Sequence, residues 1–454
     1  MQAIRRRDLV QSGMTAKAPF RSHNLLRDHA RPRTQPHPSV PEFDARLIGL
    51  LQPAAEALVR RFHERGLRER VPTLPVMAAV VLSAIWRQAA GVGTLVELLA
   101  REGLLWAAPQ RVSQSALTQR LRSLPAALFA ELFATLVPTF RARAAARRRP
   151  RPPVVARALG RFERLWAVDG TTLEALFKKV GLLRARPGQV LGGTVLAMTD
   201  LASHLPVHLW HDPDPAANEQ RRLDHVKAAL PPGTLLLFDT GFCNYGWFDW
   251  LTDHGCGFLT RARAKLAVEV ERVLQASPAV RDRVVRLGYD ARSRTAHPVR
   301  LVEVRYRGRW HRYLTNILDP TVLPVADAAD LYARRWRIED AFLLVKRLLG
   351  LSYLWTGAEN GIALQCWATW LLYAALIDLG DAVAEELDRP LEAISVEMTY
   401  RALYFFYRAA ARGEAPDVVA YLADPRQASL GILKRRRPTR ERERLAHQPP
   451  DLNL

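Results

Sequence analysis

From Pro41 to Phe140, apolar residues recur at intervals of three and four in LIGLLQPAAEALVRRF, VMAAVVLSAIW and ALFAELFATLVPTF, which predicts helices with one buried face. Between the last two, TLVELLAREGLLWAAPQRVSQSALTQRLRSL predicts a helix, a break at Gly103 and a second helix capped by Ser113. The pair reads either as a helix-turn-helix, with Gln114, Gln119, Arg120 and Arg122 toward a DNA groove, or as plain helix packing. After Pro153 strands begin to alternate with helices. RLWAVDGTTL, VLGGTVLAMTD and LPVHLWHD read as strands, EQRRLDHVKAAL as a helix, TLLLFDTGF as a strand, YGWFDWLTDHG as a helix and CGFLTRAR as a strand. That order predicts a mixed α/β layer arrangement.

Residues 265–318 read as a β-rich insertion. Its clearest part is a hairpin, VRLVEVRY and RWHRYLTN about a turn at Arg307 and Gly308. ADAADLYARRWRIEDAFLLVKRLLG predicts one helix from Ala326 to Leu349. The apolar run from Gly361 to Ile377 contains Gln365 and ends at Asp378, so it reads as a buried core helix instead of a membrane span. Helices are expected to continue to about Leu422.

Composition adds one strong constraint. The 454 residues carry 66 Lys and Arg against 45 Asp and Glu, a formal charge of +21, while 49% are hydrophobic. A wholly disordered basic polypeptide is thereby excluded, and the partner is expected to be anionic: nucleic acid or a membrane surface. The excess is clustered, with +6 in residues 1–40, +6 in 141–151, +5 in 434–444 and +7 in 281–313. Three cysteines, Cys243, Cys256 and Cys366, are too few for a disulfide framework and fit a reducing compartment. The first twenty residues have no apolar stretch, so no secretory signal is expected.

The expected organisation is a flexible basic arm (1–40), a helical N-terminal domain (41–140), and an Arg/Pro linker (141–155) whose residues 141–153 can bury nothing. A catalytic core (156–264 and 319–380) interrupted by the β-rich insertion (265–318) follows, then C-terminal helices (381–433) and a basic tail (434–454).

Two strands each end on an acid, Asp169 in AVDGTT and Asp239 in LLFDTGF, and ligands usually bind at such strand ends in open α/β sheets. Either acid alone could equally be a turn former. On the helix from Ala326, at 100° per residue, Tyr332, Arg335, Glu339 and Lys346 share one narrow stripe beside the apolar positions Leu331, Ile338, Phe342, Val345 and Leu349. His204, His208 and His211 have helical ligand spacing, but HLPVHLWHD alternates as a strand, which separates His208 from His211.

The spacing Tyr332, Arg335, Glu339, Lys346 resembles the Tyr-Arg-Glu-Lys signature of DDE transposases from bacterial insertion sequences of the IS-four type, and AVDGTT and LLFDTGF resemble that family's first and second Asp motifs. The resemblance covers roughly Leu165 to Trp370. It implies a ribonuclease-H-like core in which Asp169, Asp239 and Glu339 hold two Mg²⁺ or Mn²⁺ ions and act on double-stranded DNA, both element ends and target. It also implies a homodimer on DNA, a cytoplasmic, nucleoid-associated location, and no membrane. Hard divalent cations prefer carboxylate oxygen, and a pair of them can activate a water or a 3′-OH. By the same resemblance Tyr332, Arg335 and Lys346 contact phosphates beside the cleaved bond, and the insertion meets DNA. There Arg305, Arg307 and Trp310 interleave cations and an aromatic ring, with Trp310 either stacked on a displaced base or packed in the hairpin. A nuclease of the same fold and an inert DNA-binding regulator descended from a transposase are the alternatives.

The charge layout yields a first prediction. If the basic tail neutralises phosphates, deleting residues 434–454 lowers the log–log salt dependence of DNA binding by about 0.9 for each phosphate it neutralised. An unchanged slope removes the tail from the interface.

Overall fold

The computed structural model describes residues 38–64, 72–89, 91–173, 192–214, 222–289, 294–351, 354–355 and 358–434. Apart from residues 38–40, the expected basic arm lies outside them, as does the expected tail after Lys434.

Nine strands form one mixed sheet: β1 (Arg164–Thr172), β2 (Thr194–Asp200), β3 (Pro206–Asp212), β4 (Thr234–Phe238), β5 (Gly257–Arg261), β6 (Val268–Ala276), β7 (Val280–Leu287), β8 (Val299–Tyr306) and β9 (Arg309–Thr315), in the order β3-β2-β1-β4-β5-β9-β8-β7-β6. β1 pairs antiparallel with β2 but parallel with β4, and β4 is parallel to β5. β1 and β4 are buried on both faces, which is why they read as continuous apolar runs. The β-rich segment supplies β6 to β9 and continues the same sheet, because β9 pairs antiparallel with β5. Its turn residues Arg307 (φ 45°) and Gly308 (φ 79°) both take left-handed backbone, as a two-residue hairpin loop demands.

Strand alternation sorts the side chains between two helical layers. Leu165, Ala167, Leu235 and Leu237 pack with α6 (Pro153–Leu159) and α9 (Val325–Arg334) on one face. Trp166, Val168, Leu236 and Phe238 pack on the other with α7 (Leu223–Ala229) and α8 (Tyr245–Asp253).

The N-terminal helices are α1 (Pro41–Glu64), α2 (Leu74–Trp86), α3 (Val92–Arg101), α4 (Gln114–Ser123) and α5 (Ala126–Ala146). They share one apolar core with α11 (Glu359–Glu386), α12 (Val396–Ala410) and α13 (Val418–Ala423), and with the sheet residues Val195, Ala197 and Leu209. α11 is apolar and long enough to cross a membrane, yet 89% of its most apolar window is buried against protein, in line with a core helix. The predicted cap on α4 is present, Ser113 Oγ accepting from Ala116 N at 3.1 Å. Of its four groove candidates, Gln114, Gln119 and Arg122 are exposed, but Arg120 is buried and donates from Nε to the Pro72 carbonyl at 3.2 Å.

Two expectations need correction. Residues 141–153 do bury side chains. α5 runs through Arg141 to Ala146, Arg143 Nε lies 3.1 Å from Asp378, and Arg147 reaches Asp378 and Asp381 at 2.8 and 3.1 Å. Arg149 pairs with Asp381, and Arg46 from α1 reaches Asp378 at 2.7 Å. The physical reason lies on α11: Asp378 and Asp381 are three apart, on one helix face, both buried, and burial of two carboxylates requires cations. The second correction concerns the helix expected from Ala326 to Leu349. It is broken at Arg335 and Trp336, resumes as α10 (Arg337–Leu343), and ends in a π-helical turn, Leu344–Leu348, closed by Gly350 at φ +77°.

Burial alone would raise the Asp378 pKa, but Arg46 and Arg147 hold it below the ordinary carboxylate value. A depressed folded pKa contributes stability above the unfolded value, near pH 4, and loses it as pH falls through the folded value. Asp378→Ala, which strands three arginines, is therefore expected to cost about 3–5 kcal/mol at neutral pH. The deficit, measured by urea unfolding, shrinks below about pH 4. A pH-independent deficit would show that lost packing, not charge, dominates.

Candidate active site

β1 and β4 lie side by side up to Ala167 opposite Leu237; Asp239 directly follows β4, whereas Asp169 lies two residues beyond that last pair but still inside β1, which runs on to Thr172 against β2 and so does not end on its acid as expected. Alternation turns both toward the face covered by α9. Each acid uses one oxygen on nearby backbone: Asp169 Oδ1 accepts from Gly170 N at 2.9 Å within β1, and Asp239 Oδ1 from Gly241 N at 2.7 Å, capping a short helical turn. The turn-forming role is thus met by Asp239 but not by Asp169, and the second oxygen of each is left for other partners.

The opposite wall is the broken helix. At the break the hydrogen bonds tighten to i→i−3, Arg335 N to Tyr332 O and Ile338 N to Arg335 O, both 3.1 Å. Leu331, Ile338, Phe342, Val345 and Leu349 are all buried, as the apolar stripe predicts. The polar stripe borders them. Arg335 is only 4% exposed; its Nη1 donates to Asp169 Oδ2 at 2.6 Å and its Nη2 to Glu339 Oε1 at 3.2 Å. Its guanidinium lies 5.7 Å from the Tyr332 ring centre and 5.4 Å from that of Trp336. Lys346, in the π-helical turn, donates to Thr171 Oγ1 at 2.6 Å.

The electrostatics follow from this crowding. Burial raises the Asp169 pKa above its ordinary value, the negative charge of Asp239 adds to the rise, and Arg335 only partly offsets it. Glu339 is raised likewise, by burial and by Asp169, against Arg335. Burial disfavours the charged form of Arg335, but Tyr332, Asp169 and Glu339 hold its pKa above the ordinary value. Three carboxylates, Asp169 buried and Asp239 and Glu339 half-buried, thus outnumber the one guanidinium among them. Such a donor set, all hard oxygen and under-neutralised, fits a divalent cation in chemical type. Among the described residues, however, no group of three or more His, Cys, Asp or Glu is gathered to hold a metal ion, and Arg335 bridges two of the three acids.

Asp169, Glu339, Tyr332, Arg335 and Lys346 are thus joined in one array, with Asp239 on the adjoining strand. Arg305, Arg307 and Trp310 belong to the hairpin tip, which projects from the same end of the sheet because Arg261 on β5 pairs with Tyr313 on β9. By alternation Arg305 and Trp310 share the opposite face from Tyr313, and Arg281 caps the Trp310 ring at 4.4 Å. Much of the β-rich insertion's charge is paired internally: Arg300 with Asp282, Arg283 and Arg312 with Glu303, Arg286 with Glu271 and Arg294 with Glu269. Arg305, Arg307 and Arg309 remain exposed.

Sequence reasoning missed the residues that line the acids on their own face. Tyr313 packs at a tilt against Tyr332, ring centres 5.3 Å apart, and burial pushes its hydroxyl up to about 12. Arg261, exposed at the end of β5, acts on both tyrosines and on His311, whose pKa is lowered by burial and then by Arg261 and Arg309. Thr171 holds Lys346. The signal for Thr171 was its place two residues after Asp169, on the same strand face. His208 and His211 lie on a strand as expected, and His211 Nε2 bonds the Gly192 carbonyl at 2.8 Å.

Residues 160–376, just under half of the chain, match the family model described as the transposase DDE domain. The chain is also 28% identical over 191 residues to a protein of Sinorhizobium fredii described as "Putative transposase y4zB". That alignment covers 38% of this chain and 52% of the relative, so it spans about half the relative's length. Both matches, found independently of the geometry around Asp169, Asp239 and Glu339, support a DDE transposase.

Proposed function

We propose that the chain is a DNA transposase of the IS-four type, which cuts phosphodiester bonds at the ends of an insertion sequence and joins the freed 3′-OH to target DNA. The observation that carries this reading is the placement of Asp169 and Asp239 just beyond the paired stretch of the parallel strands β1 and β4, with Glu339 tied to Asp169 through Arg335. A mixed sheet with two acids at the ends of its parallel pair, covered by a helix bearing the third, supports a ribonuclease-H-like core. Asp169, Asp239 and Glu339 would hold Mg²⁺ or Mn²⁺, and a pair of such ions supplies activation of the attacking oxygen and stabilisation of the leaving one.

The chain's own residues do the rest. Arg335, whose fork now serves two carboxylates, has the planar geometry to grip a phosphate through two bonds. Lys346 presents a point charge one pleat further along β1, beside Thr171. Tyr332, kept protonated by a pKa raised through burial, offers an O–H donor beside them. The exposed arginines of the hairpin tip add sequence-independent attraction at the same end of the sheet. Joining two ends to one target calls for a homodimer on DNA, acting in the cytoplasm on the nucleoid.

Glu339→Gln keeps the shape of the side chain and removes the charge. It is expected to abolish Mg²⁺-dependent cleavage of element-end DNA while changing affinity for that DNA by no more than about 2-fold; cleavage at the wild-type rate overturns the assignment. A strand-transfer assay with precut ends then separates the transposase from a nuclease of the same fold, since only a transposase yields joined products.

A further inference from the structure

Lys346 sits in the one π-helical turn of the described residues, and its amine is docked on a hydroxyl of the sheet. The widened turn is visible in its bonds, with Leu349 N reaching back five residues to Leu344 O at 3.0 Å. Thr171 is equally constrained. It lies inside β1, paired with Val195 of β2, two residues beyond Asp169 and therefore on the same face about 7 Å along the strand. A flexible four-carbon side chain is thus held by an immobile acceptor at a set distance from a carboxylate that we assign to the reaction.

We infer that Thr171 is a positioning residue for the reaction: its hydroxyl fixes the Lys346 ammonium beside Asp169, where it meets a phosphate next to the cleaved bond. This rests on the reading of Lys346 as a phosphate contact. Thr171 itself touches no reacting atom. A long lysine left mobile gives up conformational freedom when it binds, and the hydroxyl removes that cost beforehand. The π-helical turn works with it, placing the lysine stem over β1 where a regular helix would carry it round to a different angle.

The test is a double-mutant cycle on the full-length protein, with EDTA present so that no metal-dependent step intervenes. The probe is a 40-base-pair duplex carrying a central nick with a 5′-phosphate, titrated at several KCl concentrations. Thr171→Val keeps the branched shape and removes the hydroxyl; Thr171→Ser restores the hydroxyl; Lys346→Met keeps the apolar stem and removes the charge. Thr171→Val is expected to weaken binding by about 5-fold, Thr171→Ser to stay within about 2-fold of wild type, and Thr171→Val to add nothing once Lys346 is methionine. Lys346→Met should lower the log–log salt slope by about 0.9.

An unchanged affinity for Thr171→Val, or an equal loss with and without Lys346, overturns the positioning role even though Lys346→Met weakens binding. If Lys346→Met leaves both affinity and slope unchanged, the phosphate reading of Lys346 fails instead, and the positioning role with it. Melting temperatures of wild type and the four variants without DNA guard against misfolding. Should Thr171→Val melt early, the comparison of Thr171→Ser with Thr171→Ala at a temperature where both are folded decides the question by the same criteria.

Discussion

Arg335 carries a full charge into a place where 4% of its surface remains exposed, and the architecture around the candidate site is arranged so that this is tolerable. Removing a guanidinium from water costs several kcal/mol unless acceptors of good geometry replace the solvent. Asp169 comes from the sheet and Glu339 from the next helical turn, so one side chain ties β1 to the covering helix. The helix break is part of the same solution. Tightening the backbone at Arg335 and Trp336 lets the side chain drop toward the sheet while Leu331 and Ile338, on either side, stay in the core. The carboxylates in turn depend on the arginine, since both have raised pKa values even with it present. Without a cation between them they would move further toward the neutral acid. A guanidinium and a metal ion are alternative answers to the same local excess of negative charge.

A second device, strand alternation, distributes function around the sheet. Asp169, Thr171 and Asp239 share a face because they are two apart or in register on parallel neighbours, and α9 and α10 cover that face. On β9 the same parity puts Tyr313 and His311 toward the acids and Trp310 away from them. The sheet thus presents two surfaces at one end, one acidic and enclosed, the other basic and open at the hairpin tip. On the proposed reading, a DNA strand passing that end would meet both.

Much of this was legible in the sequence because it rests on local patterns. The apolar runs before Asp169 and Asp239 marked strands β1 and β4, the alternation about Arg307 and Gly308 marked the hairpin, and the 100° stripe marked the buried side of the helix from Ala326. What was hidden depends on partners far away in the chain. Arg143, Arg147 and Arg149 read as a solvated run because nothing nearby could neutralise them; their partners, Asp378 and Asp381, lie more than 200 residues on. The signal was available from the other side, since two acids three apart at the end of a 17-residue apolar helix segment must find cations if that helix is buried. Arg120 misled in the same way, its exposed-looking neighbours giving no hint of the Pro72 carbonyl it serves.

This redistribution changes what the +21 charge means. Part of the excess in 141–151 and 281–313 is neutralised inside the fold, where Arg147 and Arg149 face the acids of α11 and Arg300 is wholly buried against Asp282. Those arginines cannot contact phosphate without unfolding the core, so they add nothing to a counterion-release term. Among the described residues the arginines that stay exposed include Arg261, Arg305 and Arg309 at this rim, and also Arg122, Arg148 and Arg408 elsewhere. Those at the rim differ from the rest in lying at the same end of the sheet as the candidate carboxylates. On the proposed reading, positive charge at that rim would draw a polyanion toward carboxylates that by themselves repel it.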